Sequence, residues 1–182
     1  FDPKKRVSDE DINEIINAGL WAPSGVNLQP WYFVAVRSPE SMKKLLGIMS
    51  KVSGVVEPIL KNRFKNNPEV VEETVTFIGK LGYAPMCMLA FQFKPDYGLM
   101  ESNDTQIQSI AAGIENMVLT AESKGISSCW MTAPVNSGYG EAIRDEFAPG
   151  KGPLVAVIPM GYARDGKKPV APKRKEGRCA IV

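Results

Sequence analysis

The chain contains no histidine at all. That removes Ser-His-Asp and Cys-His catalysis together with the commonest transition-metal ligand. Its three cysteines, Cys87, Cys129 and Cys179, are odd in number, far apart and without a Cys-x-x-Cys pair. Such usage excludes a zinc site built on cysteines and points to a reducing compartment, so a cytoplasmic location is expected. No apolar run reaches the ~18 residues of a membrane span, and no membrane partner is expected. The net charge of +2 argues neither for nor against an acidic partner. In an enzyme working near neutral pH without imidazole, a cofactor is the expected carrier of the chemistry.

What is present is ordinary for a soluble globular protein: 182 residues, 44% apolar and 23% charged. That length corresponds to one domain, residues 1–182, with enough chain to bury a real core. The sequence begins at Phe1 without a methionine, and it carries no signal-peptide pattern.

The most distinctive stretch is Ala22-Pro23-Ser24-Gly25-Val26-Asn27-Leu28-Gln29-Pro30-Trp31. Two prolines and a glycine prevent it from continuing a helix. Ser24, Asn27 and Gln29 are uncharged groups that both donate and accept hydrogen bonds. Crowded beside Trp31 at the mouth of a strand, they suit a planar, heteroatom-rich ligand. A plain helix stop followed by a strand start is the competing reading.

Around this bend the elements are legible. Ser8 fits an N-cap, with Asp9, Glu10 and Asp11 in the first turn and Ile12, Ile15, Ile16 and Leu20 on one face, ending near Gly19. Tyr32–Val36 reads as a strand. Ser38-Pro39-Glu40 opens a second helix, whose pattern weakens between 47 and 67 into a helix-rich cover over a pocket or a solvated surface segment. Pro68 starts a third helix, with Val71, Val75 and Ile78 inward and Gly82 at its end. Met86–Phe93 is an apolar run fit for a strand covered on both faces, followed by a turn cluster at 94–98. The helix from Asp104 to Lys124 is apolar nearly all round, which belongs at the centre or at a subunit interface, and Gly125 stops it. Ile126–Met131 and Leu154–Met160 read as strands, with Tyr139–Phe147 a short helix between them. Pro159 suits a strand end or an edge. Because strands and helices do not alternate strictly, a doubly wound parallel sheet is not expected.

The segment APSGVNLQPWYFVAV resembles the signature loop of the FMN-dependent nitroreductase family, and IAAGIENMVLTAESKGISSCW resembles that family's central helix and following strand. The resemblance continues in order along nearly all of the chain. It implies an α+β, nitroreductase-like fold with a central, mostly antiparallel sheet wrapped by helices, in an intertwined homodimer. It implies FMN as cofactor at the dimer interface, with NADH or NADPH as electron donor. The acceptor would be a nitroaromatic, a quinone or a similar conjugated electrophile, served by a ping-pong cycle. Pro23, Ser24, Gly25 and Asn27 would contact the flavin from the second subunit, with Gln29 close by. Thr132 and Ala133 fall where the family uses backbone groups over one face of the ring. Part of the phosphate site is expected upstream of Phe1. No catalytic side chain is required.

Between Arg164 and Arg178 seven cations stand against Asp165 and Glu176, a net +5 that leaves the rest of the chain at −3. Arginine makes forked contacts with phosphate oxygens and lysine acts as a point charge. Within this basic arm, residues 164–182, Pro172-Lys173-Arg174-Lys175 resembles the segment with which the family grips FMN phosphate, and Lys173 and Arg174 carry that role over. Read without the resemblance, the arm is a solvated basic tail. Too few aromatics interleave its cations for a nucleic-acid partner. Lys4, Lys5 and Arg6 are either a solvated run or donors to the flavin's pyrimidine edge. Other readings remain open: the same fold with different flavin chemistry, such as reductive dehalogenation or flavin cleavage; an FMN-binding module without turnover; or a basic-tailed binding protein.

Overall fold

The computed structural model describes residues 1–93, 102–164 and 170–181. The turn cluster at 94–98, and Asp165, Lys167 and Lys168 of the basic arm, lie outside the described residues. Helix α1, Asp9–Leu20, is capped as its sequence dictates: Ser8 Oγ accepts the Asp11 N–H at 3.0 Å. Its end is not caused by Gly19. A Cβ there would stand 2.8 Å from Met117 Cγ and 3.1 Å from Phe33, so this glycine is a packing requirement.

Strand β1, Trp31–Val36, leads into helix α2, Pro39–Arg63, capped by Ser38. Residues 47–63 are helical, as a helix-rich segment requires. Met42, Leu45, Met49 and Val52 continue one buried stripe, and the helix runs on through Pro58, which has no N–H to give the Gly54 carbonyl. Helix α3, Pro68–Lys80, packs back against α2. It stops where Leu81, Gly82 and Tyr83 take left-handed backbone in succession, with φ of 51°, 58° and 62°.

Strand β2, Met86–Gln92, is buried along its whole length. Helix α4, Asn103–Ser123, ends at Gly125, whose φ of +71° only glycine adopts at little cost. Strand β3 is short, Ser127–Ser128; helices α5, Ala133–Asn136, and α6, Gly140–Phe147, follow; strand β4, Leu154–Gly161, closes the sheet. The order is β1-β2-β4-β3, and every pairing is antiparallel. The expected α+β fold, with a central antiparallel sheet wrapped by helices, is the one observed.

Alternation along β2 builds two cores. Met86, Met88 and Ala90 pack with Ile15, Ile114 and Met117 of α1 and α4, while Cys87, Leu89 and Phe91 pack with Leu45, Met49, Ile78 and Ile143 on the other face. Truncating one such side chain, Leu89→Ala for instance, costs about 2–5 kcal/mol.

The expected strand from Ile126 to Met131 is shorter, and Pro159 is not at an edge. Both departures have one cause. Cys129 N–H donates to the Pro159 carbonyl at 3.2 Å, but proline has no N–H to return, so the ladder breaks after Ser128↔Met160 and resumes only as the bridge Met131↔Val157. Proline is tolerated in this inner strand because its nitrogen side faces the short β3. Among the described residues no helix is long and apolar enough to cross a membrane.

Candidate functional site

The bend at 24–29 is a strained structure with its own internal bonds. Ser24 is extended, and a short 3-10 turn spans Gly25–Asn27. Val26, Asn27 and Gln29 all have positive φ, at 45°, 60° and 51°. Asparagine tolerates that region; a β-branched valine does so only where surrounding contacts over-determine it. Within the bend, the Ser24 carbonyl accepts the Asn27 N–H at 3.1 Å and the Gly25 carbonyl accepts the Leu28 N–H at 3.0 Å. Ser24 Oγ accepts the Gln29 N–H at 3.0 Å, and Gln29 Nε2 donates to Asn27 Oδ1 at 3.1 Å.

Two anchors fix the bend from outside. Gly25 N–H donates to Ser109 Oγ on α4 at 3.2 Å, and the Pro30 carbonyl accepts the Phe93 N–H at 2.7 Å. Gly25 has no room for a side chain, since a Cβ would stand 2.9 Å from the Thr105 methyl. Trp31, read from the sequence as a neighbour for a planar ligand, is a core residue: 6% exposed and stacked on Phe33 with ring centroids 6.4 Å apart. Pro23, Asn27 and Gln29 are exposed, and Ser24 and Gly25 half-buried.

Thr132 and Ala133 sit elsewhere. Met131 exchanges both backbone hydrogen bonds with Val157 at 3.0 Å, which sets Thr132 at the start of α5. Its carbonyl accepts the Asn136 N–H at 3.0 Å and its hydroxyl lies 3.4 Å from Asn136 Nδ2. Ala133 packs on the core that holds α2 and α6, whereas the bend is fixed to α4 on the opposite face of the sheet. Lys173 and Arg174 are exposed and make no ion pair among the described residues. One chain thus does not bring the bend, Thr132-Ala133 and the basic arm together through any hydrogen bond among the described residues. Of the N-terminal cations, Lys5 lies 3.8 Å over the Tyr162 ring, while Arg6 and Arg37 line a separate cleft of about 270 Å³.

Cys87 and Cys129 offer no ready nucleophile. Burial pushes the Cys87 thiol far above its ordinary value and raises that of Cys129. Two buried polar residues near the bend had no sequence signal beyond a polar letter in an apolar pattern. Ser109 is 7% exposed and also donates to the Thr105 carbonyl at 3.0 Å. Gln92, 1% exposed, donates from Nε2 to Asn103 Oδ1 at 2.7 Å, with no partner for its Oε1 among the described residues.

The chain belongs to the nitroreductase family, whose model matches residues 1–162. The match ends before Lys173 and Arg174. Its relatives include a provisionally named NADH dehydrogenase/NAD(P)H nitroreductase of Archaeoglobus fulgidus, 28% identical over 165 residues, covering 90% of this chain and 78% of the relative. Among solved structures, a BluB-like flavoprotein from Clostridium difficile 630 superposes with a TM-score of 0.69 at 28% identity, covering 98% of this chain and 91% of the other. A nitroreductase with bound FMN from Bacteroides fragilis has the same fold, with a TM-score of 0.69 at 23% identity over 100% of this chain and 91% of its own.

Proposed function

We propose that the protein is an FMN-dependent oxidoreductase that takes hydride from NADH or NADPH and passes the electrons to nitroaromatic, quinone or similar conjugated acceptors by a ping-pong cycle. The observation that carries this reading is the bend itself. It is a strained, charge-free turn that keeps the Asn27 and Gln29 amides exposed in a member of the nitroreductase family. Backbone strain of this kind is retained where a function needs it.

The residues fit a flavin. Asn27 and Gln29 use one amide atom each on one another, which leaves Asn27 Nδ2 and Gln29 Oε1 to meet a polar ring edge. Pro23, Ser24 and Gly25 would lie along the same edge. Thr132 and Ala133 would offer main-chain groups over one ring face, with small side chains that let it approach. Lys173 and Arg174, exposed and in no ion pair among the described residues, would neutralise the phosphate. When bound, FMN supplies the hydride acceptance and donation that no side chain of this chain provides. The protein's part is to hold the ring, orient the donor and leave one face open to acceptors, which accounts for broad acceptance.

Separation of the bend from Thr132-Ala133 across the sheet supports an intertwined homodimer in which the partner's bend completes the site. So does the exposed apolar surface on the α1/α4 side, where Trp21 is 80%, Val26 69% and Leu119 59% exposed. We take residues 1–182 as one FMN-binding domain with a basic arm at 164–182. On this reading the protein works in the reducing cytoplasm without a nucleic-acid partner.

The test is anaerobic reduction of the FMN-loaded protein by each nicotinamide, followed by a panel of oxidants. Bleaching of the flavin absorbance by NADH or NADPH and its return with nitroaromatics or quinones is the expected result. Protein that takes up no FMN ends the flavin reading. Yellow protein that neither nicotinamide bleaches ends the proposed donor chemistry.

A further inference from the structure

A bend with three positive-φ residues does not hold its shape on local bonds alone. Left-handed backbone costs roughly 1–2 kcal/mol for most residues other than glycine and less for asparagine, so Val26 and Gln29 above all oppose the observed conformation. Something outside the bend has to select it. The downstream anchor, Phe93 N–H to the Pro30 carbonyl, belongs to the start of the β1–β2 ladder and fixes where the strand begins. It does not reach the residues before Asn27.

The upstream anchor does. Ser109 is a polar residue in the buried stripe of α4, beside Ile110 and one turn before Gly113. Its hydroxyl is used in both directions: the proton goes to the Thr105 carbonyl at 3.0 Å, and the oxygen receives the Gly25 N–H at 3.2 Å. The first bond fixes the rotamer, which aims a lone pair at the bend. Next to it, the Thr105 methyl stands 2.9 Å from where a Cβ on residue 25 would be, so main chain and helix pack closely. Ser102 caps this end of α4 by accepting the Thr105 N–H at 3.2 Å, which holds the first turn of the template in place.

We infer that Ser109 is a positioning residue: through Gly25 it locks the 24–29 bend against the N-terminal turns of α4 in the conformation that presents Asn27 and Gln29 to the flavin. This rests on the proposed FMN site for its last clause only. The locking itself is a property of the protein alone. Without the Ser109 hydroxyl, the half-buried Gly25 N–H loses its acceptor and the bend samples other conformations. The flavin then binds only the fraction of molecules that hold the competent one, and its apparent affinity falls in proportion.

Two measurements on Ser109→Ala separate the parts. In flavin-free protein, hydrogen exchange at the Gly25, Asn27, Leu28 and Gln29 amides is expected to accelerate at least about tenfold, while amides of β2 and β4 keep their protection. FMN affinity, read from quenching of free-flavin fluorescence, is expected to fall in proportion to the fraction of molecules that keep the competent bend, by about twofold or more where the bend amides lose their protection altogether. A second route to the same contact is Gly25→Ala, which is expected to loosen the bend, with exchange recovering in Gly25→Ala/Thr105→Ser because the obstructing methyl is gone. Unchanged exchange in Ser109→Ala overturns the locking, whatever the flavin result. Bend amides that exchange at the unprotected rate with unaltered FMN affinity overturn the link to the flavin. Failure of Thr105→Ser to relieve Gly25→Ala overturns the role given to α4 as template. Wild-type protein that shows a protected bend yet binds no FMN leaves the locking standing and refutes the proposed function instead.

Discussion

The crossing of α1 and α4 beneath the sheet yields a quantitative prediction. Gly113 on α4 lies against the backbone of α1: a Cβ there would stand 3.0 Å from the Gly19 carbonyl oxygen and 3.0 Å from Phe33 Cζ. Neither neighbour yields easily, since one is main chain inside a helix and the other is a ring packed in the core. Gly113→Ala gains about 1 kcal/mol of helix propensity but incurs the cost of overpacking, typically about 1–3 kcal/mol. Gly47 supplies the control. It lies in the interior of α2, is exposed, and a Cβ there meets nothing within 4 Å. Gly47→Ala is therefore expected to stabilise the protein by roughly 0.5–1 kcal/mol. The same chemical change at the two sites should differ by about 1–3 kcal/mol, which isolates the contact from the propensity. Urea unfolding of both variants at one protein concentration, with unchanged m-values, measures it. A Gly113→Ala protein as stable as Gly47→Ala would refute the close crossing.

Other consequences are equally direct. Lys173→Ala/Arg174→Ala is expected to weaken FMN retention by about tenfold or more and to reduce its salt dependence, read by ultrafiltration of released flavin; unchanged retention refutes the phosphate role. Ser8→Ala removes a helix cap and should cost about 1 kcal/mol in denaturant unfolding. The same serine, with Lys124, holds the Asp11 carboxyl below its ordinary value. A depressed folded-state pKa contributes stability that is present above the unfolded value and lost as pH falls through the folded one, so Ser8→Ala should move the acid unfolding limb to higher pH. An acid limb that stays in place contradicts that assignment. With a thiol reagent, native protein should label at exposed Cys179 quickly and at buried Cys87 only after unfolding, as mapped by peptide mass.

Much of this fold was legible because its determinants are local. Ser8 and Ser38 cap the helices they precede, Gly125 stops α4, and Met86 onward reads as a strand covered on both faces because it is one. The misreadings come from contacts between distant residues. The helix does end beside Gly19, at Leu20, but that Gly19 is also a crossing point depends on Met117 and Phe33 and was not legible. Residues 47–63 looked weakly patterned because one buried stripe on a long helix needs few apolar positions, and α3 supplies the other half. The shortness of β3 is written at Pro159, some thirty residues away. At the site, the bend stood out through its prolines and amides. Its left-handed backbone and its dependence on Ser109 did not, because a valine at positive φ has no sequence signature and a buried serine in a helix looks like any other.

On the proposed function, the bend and the basic arm hold FMN between two copies of this chain. Native mass spectrometry of the protein after loading with FMN tests it most directly. Two chains carrying two flavins, with the flavin lost together with the dimer on dilution, is the predicted result. A single chain that carries no flavin at any loading contradicts it.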